Sequence, residues 1–125
     1  MRANRIIIQD IDKDILDVIR YCLEELKFIV HSIQDSQNIL SEISDFKPDL
    51  ILLDYKLSGR DSIKACRQIK RANPKLPVLA MSCNPEIKKL FKEHFFDAYI
   101  NKPFDIYHLF SILGKYCPRP VNQML

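Results

Sequence analysis

The chain contains only two glycines, Gly59 and Gly114, in 125 residues. That scarcity excludes phosphate-cradling loops of the GxGxxG and GxxxxGK type, which need glycine where backbone approaches a phosphate. No apolar run comes near the ~18 residues of a membrane span, and Met1-Arg2-Ala3 does not begin a charged-then-apolar signal segment. A cytoplasmic protein with no membrane partner is therefore expected. The four cysteines, Cys22, Cys66, Cys83 and Cys117, are dispersed and form no CxxC pair, which argues against a disulfide framework or a zinc site. His31, His94 and His108 lack metal-ligand spacing and read as surface or interface residues. The net charge is a mild +3. Lys64, Arg67, Lys70 and Arg71, then Lys88, Lys89 and Lys92, read as solvated helix faces, so direct nucleic-acid binding is not expected. Repeats, linkers and low-complexity tracts are also missing.

What is present is a regular alternation of short apolar runs with amphipathic stretches. Residues 1–125 are expected to form one domain, with a core from about 5 to 116 and a short tail over 117–125; a domain of this size buries about two-thirds of its unfolded surface. Ile6-Ile7-Ile8 within Arg5 to Gln9 suits a buried strand. From Lys13 to Leu26, Ile15, Val18, Ile19, Cys22, Leu23 and Leu26 recur at helical spacing behind Asp12 and Asp14. Phe28 to Ile33 reads as a second strand, and Asp35 or Ser36 can cap a helix carrying Ile39, Leu40 and Ile43. Leu50-Ile51-Leu52-Leu53 is too short for a helix and ends on Asp54. A helix starting at Asp61 or Ser62 carries Ile63, Cys66 and Ile69. Pro77 to Met81 is a fourth strand, with proline tolerated at its first residue. Pro85 opens a helix with Ile87, Leu90 and Phe91 inward. Ala98 to Asn101 is a fifth strand, and Ile106 to Leu113 a last helix. Five strands alternating with five helices predict an α/β, doubly wound parallel sheet.

In such a sheet the carboxyl ends of the strands share one edge, where ligands bind. Asp10, Asp54, Ser82 and Lys102 follow the first, third, fourth and fifth strands. Two acids, a hydroxyl and an ammonium suit phosphoryl transfer to a carboxylate, in which cations neutralise the transferring group.

Nearly the whole chain, Arg5 to about Tyr116, resembles a response-regulator receiver domain of two-component signalling, of the chemotaxis type. Asp14-Ile15-Leu16-Asp17 resembles the start of that family's first helix. Lys47-Pro48-Asp49-Leu50-Ile51-Leu52-Leu53-Asp54 resembles its phosphoacceptor strand, Leu76-Pro77-Val78 leads to Ser82 where the family has Thr or Ser, and Tyr99-Ile100-Asn101-Lys102-Pro103-Phe104 resembles its lysine–proline signature. The resemblance implies a flavodoxin-like sheet of order 2-1-3-4-5 and a cis bond before Pro103. It implies that Asp54 accepts a phosphoryl group from a histidine kinase or phosphotransfer protein. Lys102 and Ser82 would contact its oxygens, and Tyr99 would move with Ser82 to signal a downstream protein. Mg²⁺ would be held by Asp10, Asp54 and the backbone carbonyl of Lys56. The protein is thus expected to be a stand-alone signalling module and not an enzyme, beyond self-catalysed phosphorylation and dephosphorylation.

The acid pair is atypical. Aligning the first helix puts the family's two acids at Asp10 and Ile11, and isoleucine offers no lone pair to a hard cation. A one-residue shift would instead pair Gln9 with Asp10; the first register is preferred. Lys56 then stands where its ammonium can replace part of the missing metal charge. Ser58 replaces a common proline, Ser62 a common glycine and Cys83 a common alanine, while Phe95-Phe96 stands in place of Gly-Ala. Two other functions compete. One is a pseudo-receiver that binds proteins without being phosphorylated. The other is a haloacid dehalogenase-like phosphatase, suggested by Gln9-Asp10-Ile11-Asp12, with Asp10 as nucleophile and Asp12 as general acid.

Overall fold

A computed structural model of the chain describes residues 3–56 and 59–118. Ser58 and residues 119–125 of the expected tail lie outside the described residues. Five strands, β1 (Arg5–Gln9), β2 (Ile29–Ile33), β3 (Leu50–Asp54), β4 (Val78–Ser82) and β5 (Ala98–Asn101), alternate with five helices. These are α1 (Lys13–Glu25), α2 (Ile39–Phe46), α3 (Arg60–Ala72), α4 (Ile87–Leu90) and α5 (Ile106–Tyr116). All strand pairs are parallel, in the order β2-β1-β3-β4-β5. The expected doubly wound, flavodoxin-like sheet is therefore what the chain forms.

Strand periodicity divides the core. Ile6, Ile8, Leu50, Leu52, Leu79 and Met81 face one side, against Leu16, Ile19 and Leu23 of α1 and Leu109, Ile112 and Leu113 of α5. Ile7, Ile51, Leu53, Val78 and Ala80 face the other, against Ile39 and Ile43 of α2, Ala65, Cys66 and Ile69 of α3, and Ile87 of α4. Neighbouring residues in β1, β3 and β4 thus serve opposite layers, so these strands read as continuous apolar runs rather than alternating ones. Among the described residues, no helix is long and apolar enough to cross a membrane.

Several element boundaries differ from expectation, each for a local reason. Asp12 caps α1, its carboxylate accepting from the N–H groups of Asp14 and Ile15. Val18, although part of the apolar periodicity, is exposed, because Ile19 and Leu23 supply the stripe that meets the sheet. Strand β2 begins at Ile29 rather than Phe28. Helix α2 begins after Asn38, not after Asp35 or Ser36, since Asp35 instead closes a turn onto the Gln37 N–H. Leu40 is exposed as well.

Helix α3 starts one residue earlier than expected, with Gly59 at its N-cap in the left-handed region (φ 76°). A Cβ at Gly59 would run into the Tyr55 ring, so glycine is needed there on both counts. Strand β4 begins at Val78, although the Pro77 carbonyl still accepts from Ile51. Helix α4 is a single turn, beginning at Ile87 rather than at Pro85. Beyond it the chain passes through turns to Phe95, whose φ of 72° prevents continuation. Helix α5 runs on to Tyr116.

Candidate functional site

The parallel sheet brings the ends of β1, β3, β4 and β5 together on one edge. Asp10, one residue past β1, is 1% exposed. Its Oδ1 accepts from the Asp12 N–H at 2.9 Å and its Oδ2 from the Lys102 ammonium. Asp54 Oδ1 accepts from the same ammonium at 2.9 Å. Lys102 follows β5, held by its N–H to the Ser82 carbonyl at 2.8 Å, and the Lys102–Pro103 bond is cis. One lysine therefore bridges two carboxylates at the ends of strands that are adjacent in the sheet but far apart in sequence.

Burial and charge act in opposite directions on these groups. Burial pushes the Asp54 carboxyl above its usual range, and Asp10 adds to that, outweighing Lys102 and Lys56, which act to lower it. Burial alone would lower Lys102, but the hydrogen bonds it donates to Asp10 and Asp54 raise it above the ordinary lysine value. Burial thus decides the direction at Asp54, whereas two carboxylates around one ammonium decide it at Lys102.

Ser82 is fully buried at the end of β4, and its Oγ accepts from the Asn84 N–H at 2.9 Å. Tyr99, half-buried in β5, packs its ring 4.9 Å from that of Phe91. Cys83 is exposed, and Ser62 is buried with its hydroxyl donating to the Gly59 carbonyl. Phe96 enters the core edge-on to Tyr55, whereas Phe95 points out.

Most donors implied for Mg²⁺ already have a protein partner. Both oxygens of Asp10 have partners, the Lys56 carbonyl accepts from the Gly59 N–H at 2.8 Å, and Asp54 holds Lys102. Ile11 is 57% exposed beside the site, and Asp12 is committed to capping α1. No group of three or more His, Cys, Asp or Glu among the described residues stands where it could hold a metal. Asp54 Oδ2 takes no partner among the described residues, so a hard cation would share Asp10 and Asp54 with Lys102 and gain no oxygen from Ile11.

Sequence reasoning singled out the acids but overlooked the amides around them. Gln9 Oε1 accepts from the Asp54 N–H at 3.2 Å while its Nε2 donates to the Gln34 carbonyl at 3.0 Å. Gln34 in turn donates to the Ile11 carbonyl. Its polarity at the end of an isoleucine run was the available signal for Gln9. Beside Asp54 opens a crevice of about 770 Å³, whose lining includes Gln9, Ile11, Gln34, Lys56, Arg60 and Lys64.

Solved structures share this architecture. The receiver domain of an HD domain-containing protein from Pseudomonas fluorescens is 22% identical, with a TM-score of 0.81 over 93% of this chain and 88% of that one. The receiver domain of NtrX from Brucella abortus is 24% identical, with a TM-score of 0.78 over 89% and 96%. Chemotaxis protein CheY4 from Vibrio cholerae is 17% identical, with a TM-score of 0.81 over 91% and 98%. At these identities the likeness shows the fold. The family model of the response regulator receiver domain matches residues 6–114, and the chain accordingly belongs to that family of two-component signalling modules.

Proposed function

We propose that Asp54 accepts a phosphoryl group from a phosphohistidine of a histidine kinase or phosphotransfer protein, and that the product is read through protein contacts. The observation that carries this reading is the Lys102 ammonium bonded at once to Asp54 and Asp10. A nucleophilic carboxylate must be ionised although burial opposes it, and the adjacent ammonium favours the ionised form. In the transfer, an Asp54 oxygen bonds to phosphorus as the phosphorus–nitrogen bond of the donor breaks and imidazole leaves. Lys102 then stabilises charge on the equatorial oxygens, as cations do in phosphoryl transfer generally. Lys56 supplies a second cation that compensates for Ile11 at the usual acid position. The Ser82 hydroxyl exchanges the Asn84 N–H for a phosphoryl oxygen, and Tyr99 follows by leaving its packing on Phe91. The reading carries a cytoplasmic location and direct contact with proteins rather than nucleic acid.

A second reading, a binding module that is never phosphorylated, is favoured by Ile11 and by the committed donors around Asp10. Asp12 caps a helix through its carboxylate, which counts against a dehalogenase-like general acid. Intact-mass spectrometry after incubation with acetyl phosphate, with and without Mg²⁺, separates the two. The phosphoacceptor reading expects a gain of one phosphoryl group in wild type and none in Asp54→Asn. With Lys56→Ala, labelling should become more dependent on Mg²⁺; an unchanged metal dependence removes the role given to Lys56. Absence of labelling by acetyl phosphate and by phosphohistidine donors alike would leave the binding module.

A further inference from the structure

We propose that the outward face of α3 is a docking site for an acidic polypeptide segment with one aliphatic anchor. Arg60, Lys64, Arg67 and Arg71 recur at steps of four, three and four, which places them on a single stripe of the helix. All four are exposed. Among the described residues none forms an ion pair. The remaining cation of the helix, Lys70, is turned away; its ammonium pairs with Asp97 at 2.6 Å and donates to the Leu76 carbonyl at 2.8 Å. The acid of the helix, Asp61, lies in the first turn off the stripe. Four uncompensated charges along one ridge cost the free protein repulsion that an acidic partner would relieve.

The stripe is also a groove. Arg60, Ile63, Lys64, Arg67, Gln68 and Arg71 line a depression of about 450 Å³. Ile63 is half-buried at its floor, packed against the core layer beneath α3. Its length, at 1.5 Å per residue, is roughly 16 Å, which suits three turns of a partner helix or about five residues of extended chain.

The chemistry distinguishes the occupant. A nucleic acid would call for aromatic side chains on which bases stack, and the groove contains none. An anionic membrane would call for apolar residues free to insert, and Ile63 is held by the core. An acidic segment needs what the groove offers, which is guanidinium and ammonium donors flanking one aliphatic contact. Arg60 and Lys64 also line the crevice beside Asp54, so the docked segment ends next to that site. Binding requires no phosphoryl group on Asp54, and its failure is thus separate from failure of the phosphoacceptor reading.

The test is fluorescence anisotropy of the full chain with a labelled helical peptide carrying Glu at the same spacing and one Leu between them. Binding at low salt with Kd on the order of 10–100 µM, weakened by added salt, is the expected result. The double variant Lys64→Gln/Arg67→Gln should bind about tenfold more weakly, with an unchanged thermal midpoint. The charge-matched variant Lys88→Gln/Lys92→Gln should bind as wild type, and a peptide with Ser for Leu should lose affinity. Equal loss in both double variants, no binding up to about 1 mM, or tighter binding of a single-stranded RNA or of phosphatidylserine vesicles through the same residues would overturn the proposal.

Discussion

Asp10 and Asp54 share the ammonium of Lys102, so this largely buried cluster sets two acids against one directly bonded lysine. That burial has a thermodynamic consequence. The folded-state pKa of Asp54 lies above 3.8, because burial outweighs the attraction of Lys102. An acid shifted upward costs stability when ionised; the cost is full above the folded pKa, falls as pH drops through it, and is gone below the unfolded value. Asp54→Asn should therefore stabilise the protein at neutral pH, since Lys102 keeps Asp10 as a partner. The gain should shrink as pH falls toward 3.8. Urea unfolding of both proteins across that range checks it; a variant less stable than wild type at neutral pH would contradict this cost of burial. Lys102 works with the opposite sign. Its raised pKa means a stabilising contribution that is complete below 10.5 and lost only as pH rises through the folded value.

The helices carry the mark of scarce glycine. Among the described residues, three that are not glycine occupy the left-handed region: Lys27 after α1 (φ 70°), Lys47 after α2 (φ 56°) and Phe95 before β5 (φ 72°). At Lys27 the chain closes the end of α1 with N–H bonds from Lys27 to Glu24 and from Phe28 to Leu23, an arrangement that glycine ordinarily serves. An L-residue with a side chain pays ~1–2 kcal/mol there. Phe95 is 57% exposed, so little packing offsets the strain. Phe95→Gly should raise stability by roughly 0.5–1 kcal/mol after the added entropy of an unfolded glycine. Chemical denaturation measures this, and a loss of stability would show that the Phe95 ring contributes packing. Phe96 has the opposite character, buried against Tyr55. The Phe95-Phe96 pair thus divides between an exposed ring and a core ring, which sequence alone left open.

For the whole molecule, two helical layers cover a sheet whose interior strands β1, β3 and β4 contain no exposed residue among Ile6–Ile8, Leu50–Leu53 and Val78–Ser82. Native-state hydrogen exchange should find the amides of these strands most protected, opening only with global unfolding. Residues 87–95, with one turn of helix, should exchange first; equal protection in both regions would refute this ordering. Local sequence sets the strands and the sheet, because apolar runs of three or four residues (Ile6–Ile8, Leu50–Leu53, Val78–Met81) can be buried on two faces in few other ways. It also sets Asp10, Asp54, Ser82 and Lys102 at strand ends, since Asp54 and Ser82 directly follow such runs and Asp10 and Lys102 come one polar residue after Ile8 and Ile100. What those groups do to one another follows from tertiary contact, because hydrogen bonds across tens of residues leave no local pattern. The engagement of the Asp10 and Lys56 oxygens, the Gln9 bridge to Asp54, and the separation of Lys70 from the Arg60–Arg71 stripe are of this kind. Each depends on which side chain reaches a partner first, and that competition is settled by packing rather than by periodicity.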